Sequence, residues 1–121
     1  MSENILMMTT AGSKEEAEKI AYTLVERRLA ACVNIVPQVQ SVYRWEGKVE
    51  QAEEWLLLIK TFATALERVR KANKEMNSYE LPECISFHID GGCANYLKWL
   101  SNSVERLKVR ACYKGRMPFV R

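Results

Sequence analysis

A chain of 121 residues, 48% hydrophobic and 27% charged, has the make-up of one ordinary globular domain, large enough for a single core. No apolar run approaches the length of a membrane span and no charged-then-apolar leader opens the chain, so neither a membrane nor a secretory reading is supported. The net charge of +3 sits at one end: residues 1–104 hold twelve basic and fourteen acidic side chains, while the tail from Glu105 holds six basic and one acidic, which argues against a nucleic-acid surface built into the fold. The four cysteines, Cys32, Cys84, Cys93 and Cys112, form no C-x-x-C, which excludes a zinc ribbon or a dense disulfide framework and points to reduced thiols in the cytoplasm.

Ile5 to Met8 is an apolar run too short for a helix; it reads as a buried strand ending at Ala11-Gly12. Ser13-Lys14-Glu15-Glu16 has the spacing of a capping box, in which the serine accepts from a free amide and the glutamate reaches back. Ala17, Ile20, Ala21, Leu24 and Arg28 follow at helical spacing, so an amphipathic helix is expected to about Arg28. From Ala31 the period drops to two. Val33, Ile35, Val39, Tyr43 and Trp45 share one expected face, with Pro37 bending or dividing the strand. Glu46-Gly47 has the character of a hairpin turn, and the return strand enters Trp55 to Ile59. Such an unbroken apolar run belongs to a strand covered on both faces.

Thr64-Ala65-Leu66-Glu67 repeats the capping-box spacing ahead of a second helix whose face carries Leu66, Val69, Ala72 (or Asn73) and Met76. Residues 83–93, ECISFHIDGGC, alternate as a fourth strand, with Phe87 on the side assigned to the core. Tyr96, Leu97, Leu100 and Val104 mark a short third helix after the double glycine. The order β-α-β-β-α-β predicts the α+β ferredoxin-like fold: an antiparallel sheet, two helices on one face, a long second-to-third-strand hairpin and a short C-terminal helix. Residues 1–104 form the expected domain and 105–121 a basic extension.

Little in this order is catalytic. His88 is the only histidine, and no G-x-S-x-G, P-loop or H-E-x-x-H occurs. The loop Thr9 to Ser13 lacks the arginine with which an acylphosphatase-type site holds phosphate, and the first strand lacks the aromatics of an RNA-binding sheet. No enzyme is expected. Metal ligation is the remaining chemistry, because thiol and imidazole suit copper or zinc. Cys84 and His88 share a strand face but lie about 13 Å apart in an extended chain, too far for one ion. His88 with Asp90 or with Cys93 stays open. Tyr43, Trp45, Tyr79, Glu80 and Glu83 are of the types that line clefts or interfaces.

Five segments, RRLAACVNIVP at 27–37, SVYRWEGKVE at 41–50, LLLIKT at 56–61, YELPE at 79–83 and YLKWL at 96–100, resemble the CutA family of divalent-cation tolerance proteins in order and spacing. The resemblance implies a cytoplasmic, non-enzymatic homotrimer bound to neither membrane nor nucleic acid, whose hairpins extend neighbouring sheets. It implies copper or another divalent ion as the ligand, with no organic cofactor. Cys32 is the first candidate metal ligand and His88 the second, with Cys84 and Cys93 in reserve. Tyr43, Trp45, Lys60, Tyr79 and Glu83 match family positions at the inter-subunit cleft. Two other readings accompany this one: a PII-like regulator with a small anionic metabolite in that cleft, and a structural trimer with a protein partner.

Overall fold

The computed structural model describes residues 3–105. The chain runs β1 (Asn4–Ala11), α1 (Lys14–Glu26), β2 (Cys32–Trp45), β3 (Lys48–Phe62), a single 3-10 turn (Ala63–Ala65), α2 (Leu66–Met76), β4 (Ile85–His88) and α3 (Ala94–Ser103). The strands form one four-stranded sheet in the order β2-β3-β1-β4, every neighbouring pair antiparallel. This is the α+β, ferredoxin-like arrangement that the element order predicts. The basic extension lies outside the described residues, apart from Glu105.

The sheet's two faces follow from alternation along β1 and β3. Ile5, Met7, Leu57 and Ile59 point to one side, where Ala17, Ile20 and Leu24 of α1 and Val69 and Ala72 of α2 seal them into the main core. The other side carries Leu6, Met8, Leu56 and Leu58, all only partly buried. There α3 packs against β3 and β1, burying Leu100 and bringing Tyr96 under the Lys60 ammonium at 5.8 Å. Among the described residues, the β4 end of that face stays exposed at Ile85 and Phe87. Phe87 belongs to that face, because it pairs with Leu6 while Ser86 pairs with Met7. The assignment of Phe87 to the core is therefore corrected: register on this four-residue edge strand, and not the apolarity of the side chain, decides its side.

The helix starts match the expectations unequally. Ser13 caps α1, its hydroxyl accepting the Glu16 amide at 3.1 Å. The reciprocal half of that box is not made; the Glu16 carboxylate instead accepts the Ser78 amide at 2.9 Å, tying the helix to a distant loop. The helix ends at Glu26, two residues short of the expected Arg28, which takes φ 60° in the exit turn. No side chain caps α2, since the 3-10 turn leads into it, so Thr64 is not a capping residue. The hairpin turn is as expected, with Glu46 and Gly47 at φ 51° and 81° and Trp45 paired with Lys48. Positive φ at both central residues is what a type I′ turn needs.

Candidate functional site

The cleft is built by one irregularity in β2. Val36 pairs with Leu56 but Val39 pairs with Glu54, so β2 holds one residue more than β3 across this interval. Pro37 lacks an amide to donate to the ladder, and Gln38 accommodates the bulge at φ 59°. An extra residue moves every later side chain to the other face. Val33 and Ile35 therefore share the helix side with Ile59 and Leu57, while Ser41, Tyr43 and Trp45 join the side of Glu54. The expected single face from Val33 to Trp45 is thus two half-faces.

Opposite the hairpin stands the segment between α2 and β4, held by polar side chains beneath it. Asn77 donates its side-chain amide to the Thr10 carbonyl at 2.9 Å and accepts the Tyr79 backbone amide at 3.0 Å. The buried Thr9 hydroxyl donates to the Glu83 carbonyl at 2.6 Å and accepts from the Asn73 side chain at 3.1 Å. Tyr79 lies against Gly12, where a Cβ would come within 3.2 Å of the phenol oxygen, so glycine leaves the room the ring occupies.

Between hairpin and loop opens a cleft of about 580 Å³. Its hairpin wall is Ser41, Tyr43 and Trp45; its other wall is Tyr79, Glu80, Leu81 and Glu83; Thr10 and Glu54 reach it from β1 and β3. Glu54 is the buried charged member, only 8% exposed, and its carboxylate accepts hydrogen bonds from the Ser41 and Tyr79 hydroxyls. Burial pushes the Tyr79 phenol far above its ordinary value, and the hydrogen bond to Glu54 and its charge push the same way. The arrangement offers aromatic faces, hydroxyls and carboxylates. No basic side chain lines it.

Of the residues singled out in the sequence, Tyr43, Trp45, Tyr79, Glu80 and Glu83 meet in this cleft. Lys60 does not line it; it lies further along β3, between Cys32 and Leu6 in the ladder. Thr10, Ser41 and Glu54 escaped the sequence reading. Their one signal was Glu54 itself, a charge directly abutting the run from Trp55 to Ile59.

The metal candidates are dispersed. Cys32 pairs with Lys60 on the open side of the sheet, whereas His88 pairs with Ile5 on the helix side, and β3 and β1 separate their strands. Three strand spacings of about 4.8 Å put them roughly 14 Å apart, against the ~2 Å from donor to ion that a shared site requires. They do not fit one ion within one chain. The Cys32 thiol points a weak donor at Asn34 Oδ1, 3.8 Å away. Cys84 is half-buried, and burial pushes its thiol up; Cys93 stands exposed at the start of α3, where the Tyr96 and Asn95 amides pull its thiol down. Among the described residues no three His, Cys, Asp or Glu side chains are grouped to hold a metal ion.

The sequence model of the CutA1 divalent ion tolerance protein family matches residues 5–103. The chain belongs to the CutA1 family. It is 44% identical over 95 residues to the divalent-cation tolerance protein CutA of Thermus thermophilus, covering 78% of this chain and 92% of that one. It is 44% identical over 100 residues to the chloroplastic CutA of Arabidopsis thaliana, covering 83% of this chain but 55% of the plant protein. The chain thus spans little more than half of that CutA relative. The solved Thermus CutA1 superimposes with a TM-score of 0.83 at 41% identity, over 84% of this chain and 99% of that one. CutA1 from Oryza sativa also gives 0.83, at 41% identity over 86% and 95%. A CutA structure from Archaeoglobus fulgidus is named as a periplasmic divalent cation tolerance protein. Family members thus carry different compartments in their names. No helix among the described residues is long and apolar enough to cross a membrane.

Proposed function

We propose that this CutA-family chain acts as a non-enzymatic homotrimer in divalent-ion tolerance, working in the cytoplasm and capturing copper or a related ion between its copies. The observation that carries this reading is the open side of the sheet. Leu6, Met8, Leu56 and Leu58 are half-covered, Ile85 and Phe87 remain 45% and 49% exposed, and among the described residues no strand lies beside the outer edges of β2 and β4. An apolar sheet face with unpaired edges is a surface that association covers. The separation of Cys32 from His88 supports capture between copies, since one copy does not bring its candidate ligands together. The reading with an anionic metabolite finds no support in the cleft, whose charged lining is three glutamates.

Light scattering on the eluting protein tests assembly: three chain masses support the trimer, and one or two overturn it. Calorimetric titration with Cu(I), Cu(II) and Zn(II), beside a Cys32→Ser variant, tests capture. Submicromolar binding at fixed stoichiometry per trimer, lost in the variant, supports a site built around Cys32. Weak binding indifferent to the substitution removes Cys32 from the metal role.

A further inference from the structure

We propose that the cleft between the β2-β3 hairpin and the loop after α2 binds a small organic cation, an ammonium or guanidinium head on a short apolar stem. The proposal uses neither Cys32 nor His88, and so stands or falls apart from metal capture. Its volume of about 580 Å³ suits a small molecule. The decisive group is Glu54. The residue is more than nine-tenths removed from solvent and lines the cleft, where the Ser41 and Tyr79 hydroxyls hold its carboxylate. Those two neutral donors orient the carboxylate without neutralising it. The described residues supply no ion-pair partner for Glu54, and none of the side chains lining the cleft is basic. A buried carboxylate without a counter-charge carries a desolvation cost that an incoming cation offsets.

The rest of the lining selects what kind of cation. Tyr43, Trp45 and Tyr79 present ring faces, whose negative quadrupoles attract a desolvated organic cation; they are poor ligands for a bare metal ion. Glu80 and Glu83 place two more carboxylates in the lining, which draw cations in and repel anions. Burial is the first cause of the rise in the Tyr79 phenol, and the charges of Glu54 and Glu16 add to it in the same direction. Two lysines of β3 lie outside the lining: Lys48 faces Trp45 across the hairpin, and Lys60 sits over Tyr96. A neutral apolar ligand fills the volume but leaves Glu54 uncompensated, and an anion meets three carboxylates.

Calorimetric titration of the full chain with butylammonium, choline and agmatine, against butanol and butyrate, tests this directly. At least one cation binds, with butanol weaker by about tenfold or more and butyrate silent. Glu54→Gln keeps the shape and removes the charge; it weakens the cation by about thirtyfold, the loss that accompanies one partner of a buried charge pair. Should that variant fail to fold, Glu83→Gln reads the same field, because Thr9 holds the Glu83 backbone carbonyl and not its carboxylate. The expected loss there is several-fold. Trp45→Leu weakens choline more than it weakens butylammonium. Equal binding of butanol or butyrate overturns the proposal, as does a cation affinity unmoved by either glutamine. Silence from all three cations at millimolar concentration also overturns it, including the case in which a basic side chain of a neighbouring copy already fills the cleft.

Discussion

The two faces of this sheet are made from the same strands and nearly the same residues. On β3, Leu57 and Ile59 are fully buried beneath α1 and α2, while Leu56 and Leu58, one step away, are only partly covered. On β1 the contrast is Met7 against Leu6 and Met8. Hydrophobicity does not tell these faces apart, because both are apolar. What differs is the cover each receives among the described residues: two helices on one side, and the short α3 with Tyr96 and Leu100 on the other. A strand apolar on both sides, with one side less covered among the described residues, is the surface on which the proposed association rests.

Leu57→Ala gives the largest expected effect on the sealed face, a loss of about 3 kcal/mol in urea denaturation from transfer and cavity together. Leu58→Ala, its neighbour on the open face, costs less at low protein concentration, and its cost grows as concentration rises. Equal, concentration-independent losses at both positions would break the comparison. Phe87→Asp sharpens it from the other side: circular dichroism is expected to show an intact fold while scattering shows the mass falling to that of a monomer. A variant that folds and stays assembled would remove the open face from the interface.

Thr9→Val, beneath the loop, removes a hydroxyl that donates to Glu83 and accepts from Asn73 with little change in volume. About 1–2 kcal/mol is expected in denaturation, with faster amide exchange in residues 77–84. The smallest effect is chemical. Cys93 is exposed with its thiol pulled down, and Cys84 is half-buried with its thiol pushed up. The thiolate is the reactive form, so near neutral pH iodoacetamide modifies Cys93 before Cys84, and the Cys93 rate levels off at lower pH than that of Cys84. Peptide mass spectrometry against pH reads both; the reverse order would contradict the assigned environments.

Much of the fold was legible because local signals agreed. The Ile5 to Met8 run, the Ser13 cap, the Glu46-Gly47 turn and the Val69-Ala72 stripe each named its element, and their order named the topology. Legibility failed where a residue's partner lies far along the chain. Glu16 was spaced to reach back to its own helix start but bonds Ser78, a choice only the tertiary contact sets. Phe87 alternates correctly yet takes its side from its pairing with Leu6. The cleft was half legible: Tyr43, Trp45, Tyr79, Glu80 and Glu83 stood out as cleft-lining residue types, and all but Glu80 also match family positions, whereas Glu54, Ser41 and Thr10 become visible only when three separate strands meet. Lys60 shows the converse, matching a family cleft position while lying outside the cleft of its own chain.

The extra residue at Pro37-Gln38 acts on the hairpin as a frameshift acts on a message. Everything downstream keeps its letters and changes its meaning, because inside becomes outside for each side chain up to the turn. Removing Gln38 would let the ladder close without a gap, yet it would carry Ser41, Tyr43 and Trp45 away from Glu54 to the reverse of the ribbon. A one-residue gap at this point in an alignment therefore distinguishes relatives that share the hairpin from relatives that share the cleft.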